Sequence, residues 1–262
     1  MITLLPTAIR GTLIYEAKIA SRQRILWISV VPLLALGVII GFVSPTLTQA
    51  DSVPGRIAGW VLALAVFSTF GFGVALADRF SNHRRRSQSE LLDATPASLT
   101  MRMAASLIAA MSVALVPALV VTLVVGGAYT AEYAMALPVA LAAFALILVP
   151  GALLLATLAV ALGTILPAPL ARAGAVIVWG WATLLNTALL PIPTITGSVL
   201  SPLGDYASLA WFNGPTLWAG RLRGEAIYPA VTTGSALFNV AFALLASVVL
   251  FALAQSVVRM RR

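Results

Sequence analysis

The sequence predicts an all-α membrane protein. It reads as six transmembrane helices with an N-terminal interfacial helix over 8–24, a short cytoplasmic coupling helix within the 78–102 loop and a broken extracytoplasmic hairpin over 191–229 before the last span. Three observations carry this. Of 262 residues, 61% are hydrophobic and only 9% charged, with a mean hydropathy of +1.02, whereas soluble domains run near half apolar and a quarter charged. The apolar runs are continuous and rich in Ala, Leu and Val, so they read as helices of about 20 residues rather than the shorter alternating strands of a membrane barrel. Basic residues cluster at the ends of the runs rather than inside them.

The uncharged runs are Ile25 to Val43, Ile57 to Ala77, Met103 to Tyr129, Tyr133 to Leu166, Ala173 to Leu190 and Ala230 to Val258. Each is long enough to cross. Six crossings return both termini to one side. That side receives Arg10, Lys18, Arg22, Arg24, Arg79, Arg84, Arg85, Arg86, Arg102, Arg172, Arg259, Arg261 and Arg262, and the other only Arg56, Arg221 and Arg223. The positive-inside rule then makes both termini cytoplasmic, with the inner membrane as the location. The run to Val43, followed by Thr48, Gln49 and Ala50, has the outline of a leader peptide. Its length and the charged segment ahead of it make it the first membrane helix instead. No short repeat and no Pro- or Ser-rich linker divides the chain, so 1–262 is read as one transmembrane domain. Pro117, Pro138, Pro150 and Gly151 fall inside the runs and predict kinks.

The same composition excludes several functions. A net charge of +8 and a pI near 11.0 reflect topology and contact with anionic lipid rather than nucleic acid. Cysteine is absent and His83 is the one histidine, which removes thiolate chemistry, a two-His metal site and a buried Ser–His protease pair. No Gly-rich phosphate loop is present, so the chain is not read as an ATPase or any other enzyme. Glu16, Asp51, Asp78, Glu90, Asp93, Glu132, Asp205 and Glu225 all fall in termini, loops or helix ends, where a proton-driven carrier would want a carboxylate at depth. Asn186 and Asn239 lie within or beside the spans. They read as interhelix hydrogen-bonding groups or as substrate ligands.

Two cytoplasmic elements carry the functional reading. In the 78–102 loop, Ser87 and Glu90 match a capping box, and Thr95-Pro96 supplies an N-cap and a first-turn proline for the next helix. A helix over 88–94 follows, too short to stand alone in water. Its Leu91 and Leu92 therefore dock on a cytoplasmic partner, or rest on the protein's own helix ends or lipid. Ahead of the first span, Ile9, Leu13, Ala17 and Ala20 recur at helical spacing, with Arg10, Lys18 and Arg22 away from that stripe. Glu16 falls at the stripe's edge. It either pairs with one of Arg84, Arg85, Arg86 or Arg102 or snorkels to the headgroups.

On the opposite face, 191–229 is too long for a turn and too apolar to float free. Helical pieces from about Leu203 to Phe212 and Pro215 to Arg223, joined by Asn213-Gly214-Pro215, suit a re-entrant hairpin. Tyr206, Trp211, Phe212, Trp218 and Tyr228 then form an interface belt or a stacking site. Gly37 and Gly41 in the first span give a small-xxx-small face, either a dimer contact or a chance spacing.

This order of elements, with the segment Glu90-Leu91-Leu92-Asp93-Ala94-Thr95-Pro96-Ala97-Ser98 followed by Arg102, resembles the membrane subunit of ABC transporters of the ABC-2 type. The resemblance implies a dimer of six-helix permeases, identical or homologous, seated on two ATP-binding cassette subunits that hold the ATP and Mg; this chain holds no cofactor or metal of its own. It implies a coupling role for Glu90, Leu91, Leu92, Asp93 and Pro96, an interfacial-helix role for Glu16, Arg22 and Arg24, and an outer gate at Tyr206, Trp211, Phe212 and Trp218. The early spans lack the aromatic concentration of polysaccharide exporters. The implied cargo is a hydrophobic or amphipathic drug, lipid or peptide, moved outward. The alternatives are a non-transporting membrane immunity or binding protein, and a gradient-driven transporter or channel.

Overall fold

The computed structural model describes residues 5–44, 50–77, 79, 98–185, 193–219 and 227–260. The helices are α1 (Leu5–Arg22), α2 (Arg24–Val43), α3 (Val53–Leu76), α4 (Leu99–Ala128), α5 (Ala136–Ile165), α6 (Ala168–Thr183), α7 (Asp205–Phe212) and α8 (Thr233–Met260). Five of them, α2, α3, α4, α5 and α8, are long and apolar enough to cross a membrane. The protein is a multi-pass helical membrane protein.

Local chemistry explains most boundaries. Ser52 caps α3 by accepting the Gly55 N–H, and Pro54 opens the helix where its missing N–H costs nothing. The cap of α4 is Ser98, which accepts from the Met101 N–H; Thr95, singled out above as the cap, lies outside the described residues. Gln23 sits in an extended conformation and separates α1 from α2. Pro138 lies in the first turn of α5, where it starts the helix rather than kinking it. Pro150 acts differently. It has no N–H to give the Leu146 carbonyl, and just before it the helix widens into a π turn over Phe144–Leu148, in which the Val149 N–H reaches the Phe144 carbonyl.

α3 is the axle: nearly all of it is buried, whereas α2, α4 and α8 are mostly exposed. Ile28, Ile39, Phe42, Val116, Val124, Leu245 and Val249 show apolar side chains outward on those three helices, as lipid-facing surfaces do. α2 lies along α3 through small residues. A Cβ on Gly37 would come within 3.1 Å of the Ala63 carbonyl oxygen, and one on Gly41 would collide with the Trp60 ring; from the other side, one on Gly71 would meet the Ser29 carbonyl oxygen at 2.8 Å. The small-xxx-small face is therefore buried against the protein's own α3. This corrects the reading of that face as a dimer contact, because backbone approach of this kind leaves no free surface.

Contacts sort the helix ends into two groups. One end gathers α1, the close of α3 and the start of α4 through Glu16, Arg79 and Ser106, with the close of α8 joined by Arg259 to Thr100 at 3.1 Å. Gly163 near the close of α5 packs on the Ala77 carbonyl there. The opposite end gathers the start of α3, the turn after α4 and the start of α8.

The expected fifth span, Ala173 to Leu190, is not one long helix. α6 begins earlier, at Ala168, and has 16 residues, about 24 Å at 1.5 Å per residue. Its end is chemically complete. Helices leave their last four carbonyls unsatisfied; here Gly180 receives the N–H groups of Leu184 and Leu185, Trp181 receives the Thr196 hydroxyl, Ala182 the Ser201 hydroxyl and Thr183 the Trp218 indole N–H. Residues 193–219, which supply the last three of those donors, form a plug against the end of α6 that is irregular apart from α7. Asn186 lies outside the described residues.

Candidate functional sites at the two ends of the bundle

At the α1 end, Glu16 is not at the edge of its helix's apolar stripe but in the middle of the buried face, flanked by Leu13, Ala17 and Ala20. Glu16 is 5% exposed, Arg79 3% and Ser106 3%. Arg79 Nη2 donates to Glu16 Oε2 at 2.5 Å and to the Glu16 carbonyl oxygen at 3.2 Å, Arg79 Nε donates to Ser106 Oγ at 3.1 Å, and Ser106 Oγ donates to Glu16 Oε2 at 3.0 Å. A buried charge is tolerated only when paired and hydrogen-bonded; the triangle pairs Arg79 with Glu16 and engages its Nε and Nη2, while its Nη1 is buried without a hydrogen-bond partner among the described residues. The partner expected from the sequence was Arg84, Arg85, Arg86 or Arg102. Instead Arg79, three residues past the end of α3, forms an ion pair with Glu16; Arg84, Arg85 and Arg86 lie outside the described residues.

The cluster ties three elements into one unit: the amphipathic helix, the close of α3 and the start of α4. These last two are the two roots of the 80–97 segment. Arg10, Lys18, Arg22 and Arg24 remain exposed along α1 and its junction. Glu90, Leu91, Leu92, Asp93 and Pro96, and the expected 88–94 helix with them, lie outside the described residues.

At the opposite end the plug is built around Asp205, the first residue of α7 and 1% exposed. Its Oδ1 accepts the Leu217 N–H at 3.0 Å; its Oδ2 accepts the N–H groups of Trp218 at 3.0 Å and Ala219 at 3.3 Å. The carboxylate thus folds the irregular chain after α7 back onto the helix start, where it also complements the helix dipole. Asn213 ends α7 in the left-handed region at φ 50, and the Gly214 N–H closes the turn on the Ser208 carbonyl at 2.9 Å. The expected helix over Leu203 to Phe212 is this α7. The expected second piece, Pro215 to Arg223, is not helical over 215–219: the N–H groups of 217, 218 and 219 are turned to Asp205 instead. Its remainder lies outside the described residues.

The plug sits inside the bundle. Gly204 lies against Ile147 of the π turn so closely that a Cβ would come within 2.6 Å of the Ile147 backbone, and Gly151 faces the Pro202 carbonyl. Asn239 of α8 donates to the carbonyls of Val199 at 2.9 Å and Ser201 at 2.7 Å. It pins the irregular plug backbone, and satisfied backbone of this kind is the condition for non-helical chain at membrane depth. Of the four expected gate residues, Tyr206 and Phe212 are buried within the plug, and Trp211 and Trp218 are half-buried at its margins. Tyr206 O–H donates to the Pro229 carbonyl at 3.3 Å.

Sequence reasoning missed Arg79, Ser106 and the burial of Asp205. The first had a signal: a lone carboxylate set among apolar residues of an amphipathic helix requires a cation at the same depth. Asp205 had none, since its partners are backbone N–H groups. Among the described residues no group of three or more His, Cys, Asp or Glu side chains is placed to hold a metal. No family model, curated protein or solved structure matches the chain.

Proposed function

We propose that this chain is the membrane subunit of an ATP-driven ABC-2-type exporter, moving a hydrophobic or amphipathic cargo across the cytoplasmic membrane with both termini inside. The observation that carries the reading is the buried Glu16–Arg79–Ser106 cluster. A cytoplasmic segment that transmits force needs stiff roots, and this cluster locks both roots of the 80–97 segment to the interfacial helix. A load taken up by that segment then reaches α1, α3 and α4 together rather than bending one of them. The composite path through α6 and the plug supports it too, as the route by which a chain with five long spans returns both termini to one side.

The ATP-binding subunits, the second permease and the nucleotide belong to this reading as partners, with Glu90, Leu91, Leu92, Asp93 and Pro96 as the contact. Asp205 favours one competing reading, a gradient-driven carrier, because a buried carboxylate is what such a carrier loads. Its three backbone N–H donors assign it a structural role instead.

The test is affinity purification of the tagged chain from its native membrane, with and without Leu91→Asp and Leu92→Asp. An ATP-binding subunit should accompany the parent chain and be lost from the double variant, which should still insert. Purification without any ATPase, or transport that follows a proton gradient in the absence of ATP, would overturn the proposal.

A further inference from the structure

At the α1 end of the bundle Glu16 is the one carboxylate among the described residues, and it is buried against Arg79. Asp51, Glu132 and Asp205 lie at the opposite end. The cations Arg10, Lys18, Arg22 and Arg24 are exposed, and neither of the two ion pairs among the described residues uses them. Within the described residues, this surface carries positive charge that no carboxylate offsets.

The charge is laid out along one side. Arg10, Ile14, Lys18 and Arg22 follow at steps of four on the face of α1 opposite Glu16, and all four are exposed. Arg22 closes α1 and Arg24 opens α2, with only Gln23 between them. Their Cα atoms are at most about 7 Å apart, so one phosphate can meet both guanidiniums. The joint that places them is fixed: the Gln23 N–H donates to the Ala20 carbonyl at 3.1 Å, the Leu26 N–H to the Gln23 carbonyl at 3.1 Å and the Trp27 indole N–H to the Ser21 carbonyl at 2.7 Å. From Arg24 the exposed side runs on along α2 through Ile28, Val31, Ala35, Ile39 and Phe42, which recur at helical spacing. A pair of arginines thus stands at the head of an apolar track.

We propose that this track is a binding site for an anionic phospholipid, with the phosphate held by Arg22 and Arg24, Lys18 beside it, and the acyl chains along Ile28, Val31 and Ala35. The dimensions agree. One leaflet of the hydrocarbon core is about 15 Å deep, and the rise from Arg24 to Ala35 is ~17 Å. Guanidinium forks bond phosphate oxygens in pairs, which suits two arginines to this headgroup. An acidic protein segment would answer the cations but not the apolar residues that continue the same side into the span. A zwitterionic lipid would cover those residues yet bring no net charge to the cations. Bound here, the lipid adds a second brace across the α1–α2 joint beside the Trp27 bond. The proposal stands on exposure and charge and does not rest on the exporter reading.

The test is native mass spectrometry of the full chain in detergent, titrated with phosphatidylglycerol or with phosphatidylcholine of the same acyl chains. Two cations at roughly fivefold each predict a preference of about 25-fold for phosphatidylglycerol, and it should narrow as ionic strength rises. Arg22→Gln with Arg24→Gln should abolish the preference, whereas Arg22→Lys with Arg24→Lys should keep most of it. Arg10→Gln with Arg259→Gln removes as much charge from the same end and should leave it standing. Inorganic phosphate in excess should not displace the lipid, because it brings no chains to the track. All four positions are exposed, so helical circular dichroism should be unchanged in every variant, and the preference and salt dependence of the parent chain are read without any substitution. Equal affinity for the two lipids, an equal loss from the Arg10 and Arg259 pair, or displacement by inorganic phosphate would overturn the site. So would an acidic protein that occupies this face in place of lipid and is lost from the Arg22 and Arg24 variant.

Discussion

Glu16 and Arg79 are 63 positions apart in the chain, yet Arg79 Nη2 donates to Glu16 Oε2 at 2.5 Å in a site both side chains share with Ser106 and almost no solvent. The pair makes the amphipathic helix part of the bundle. Without it α1 would be held at the interface by a stripe of small residues, and by lipid.

Removing one member of a buried pair leaves the other charge without compensation, at a cost of about 3–5 kcal/mol. Glu16→Ala should therefore lower the thermal midpoint of the purified protein sharply. Replacing both members by apolar residues of similar size, Glu16→Leu with Arg79→Met, should be far milder in stability. If the exporter reading holds, the double variant keeps its fold but loses coupling. Thermal unfolding in detergent, read beside co-purification of the ATPase, separates the two effects.

Gly41 has no room for a side chain beside Trp60, and Gly37 has little beside Ala63 and Leu64. Gly41→Leu should force α2 away from α3 and destabilise the protein by about 1–3 kcal/mol, the usual range for overpacking. Gly37→Ala should cost less, since the nearest atoms lie 3.1 and 3.2 Å from the added carbon. Neither should change oligomeric state, because this face is used within the chain. Light scattering of detergent-solubilised Gly37→Ala checks that: a loss of oligomer would return the face to the dimer.

The plug depends on two side chains that satisfy backbone. Asn239→Leu strips donors from the Val199 and Ser201 carbonyls, and Asp205→Ala strips the acceptor from three N–H groups. Each buried group left unmatched costs about 1–3 kcal/mol, so both variants should loosen the plug while sparing the long helices. The expected readout is faster proteolysis within 193–219 and a red-shifted tryptophan emission as Trp218 loses its bond to the Thr183 carbonyl, with helical circular dichroism nearly unchanged.

How much of this was legible without coordinates follows from the range of the forces involved. Class, the positions of the five long helices and the lone amphipathic helix before them were readable, because hydropathy, charge placement and capping residues act over one or two turns. A turn at Asn213-Gly214-Pro215 was readable for the same reason; that Asn213 takes it in the left-handed region was not. What the tertiary structure decided was which ends meet. The sequence could require a cation for Glu16 but not choose among arginines; it could mark Gly37 and Gly41 as a close-packing face but not say that α3 occupies it. It read the fifth of six spans as one long run where the chain has a 16-residue helix ending at Thr183, because the residues that complete the last carbonyls of α6 are Thr196, Ser201 and Trp218, beyond the end of the run. A buried polar group is satisfied by whatever the fold brings beside it, and no local pattern records that neighbour.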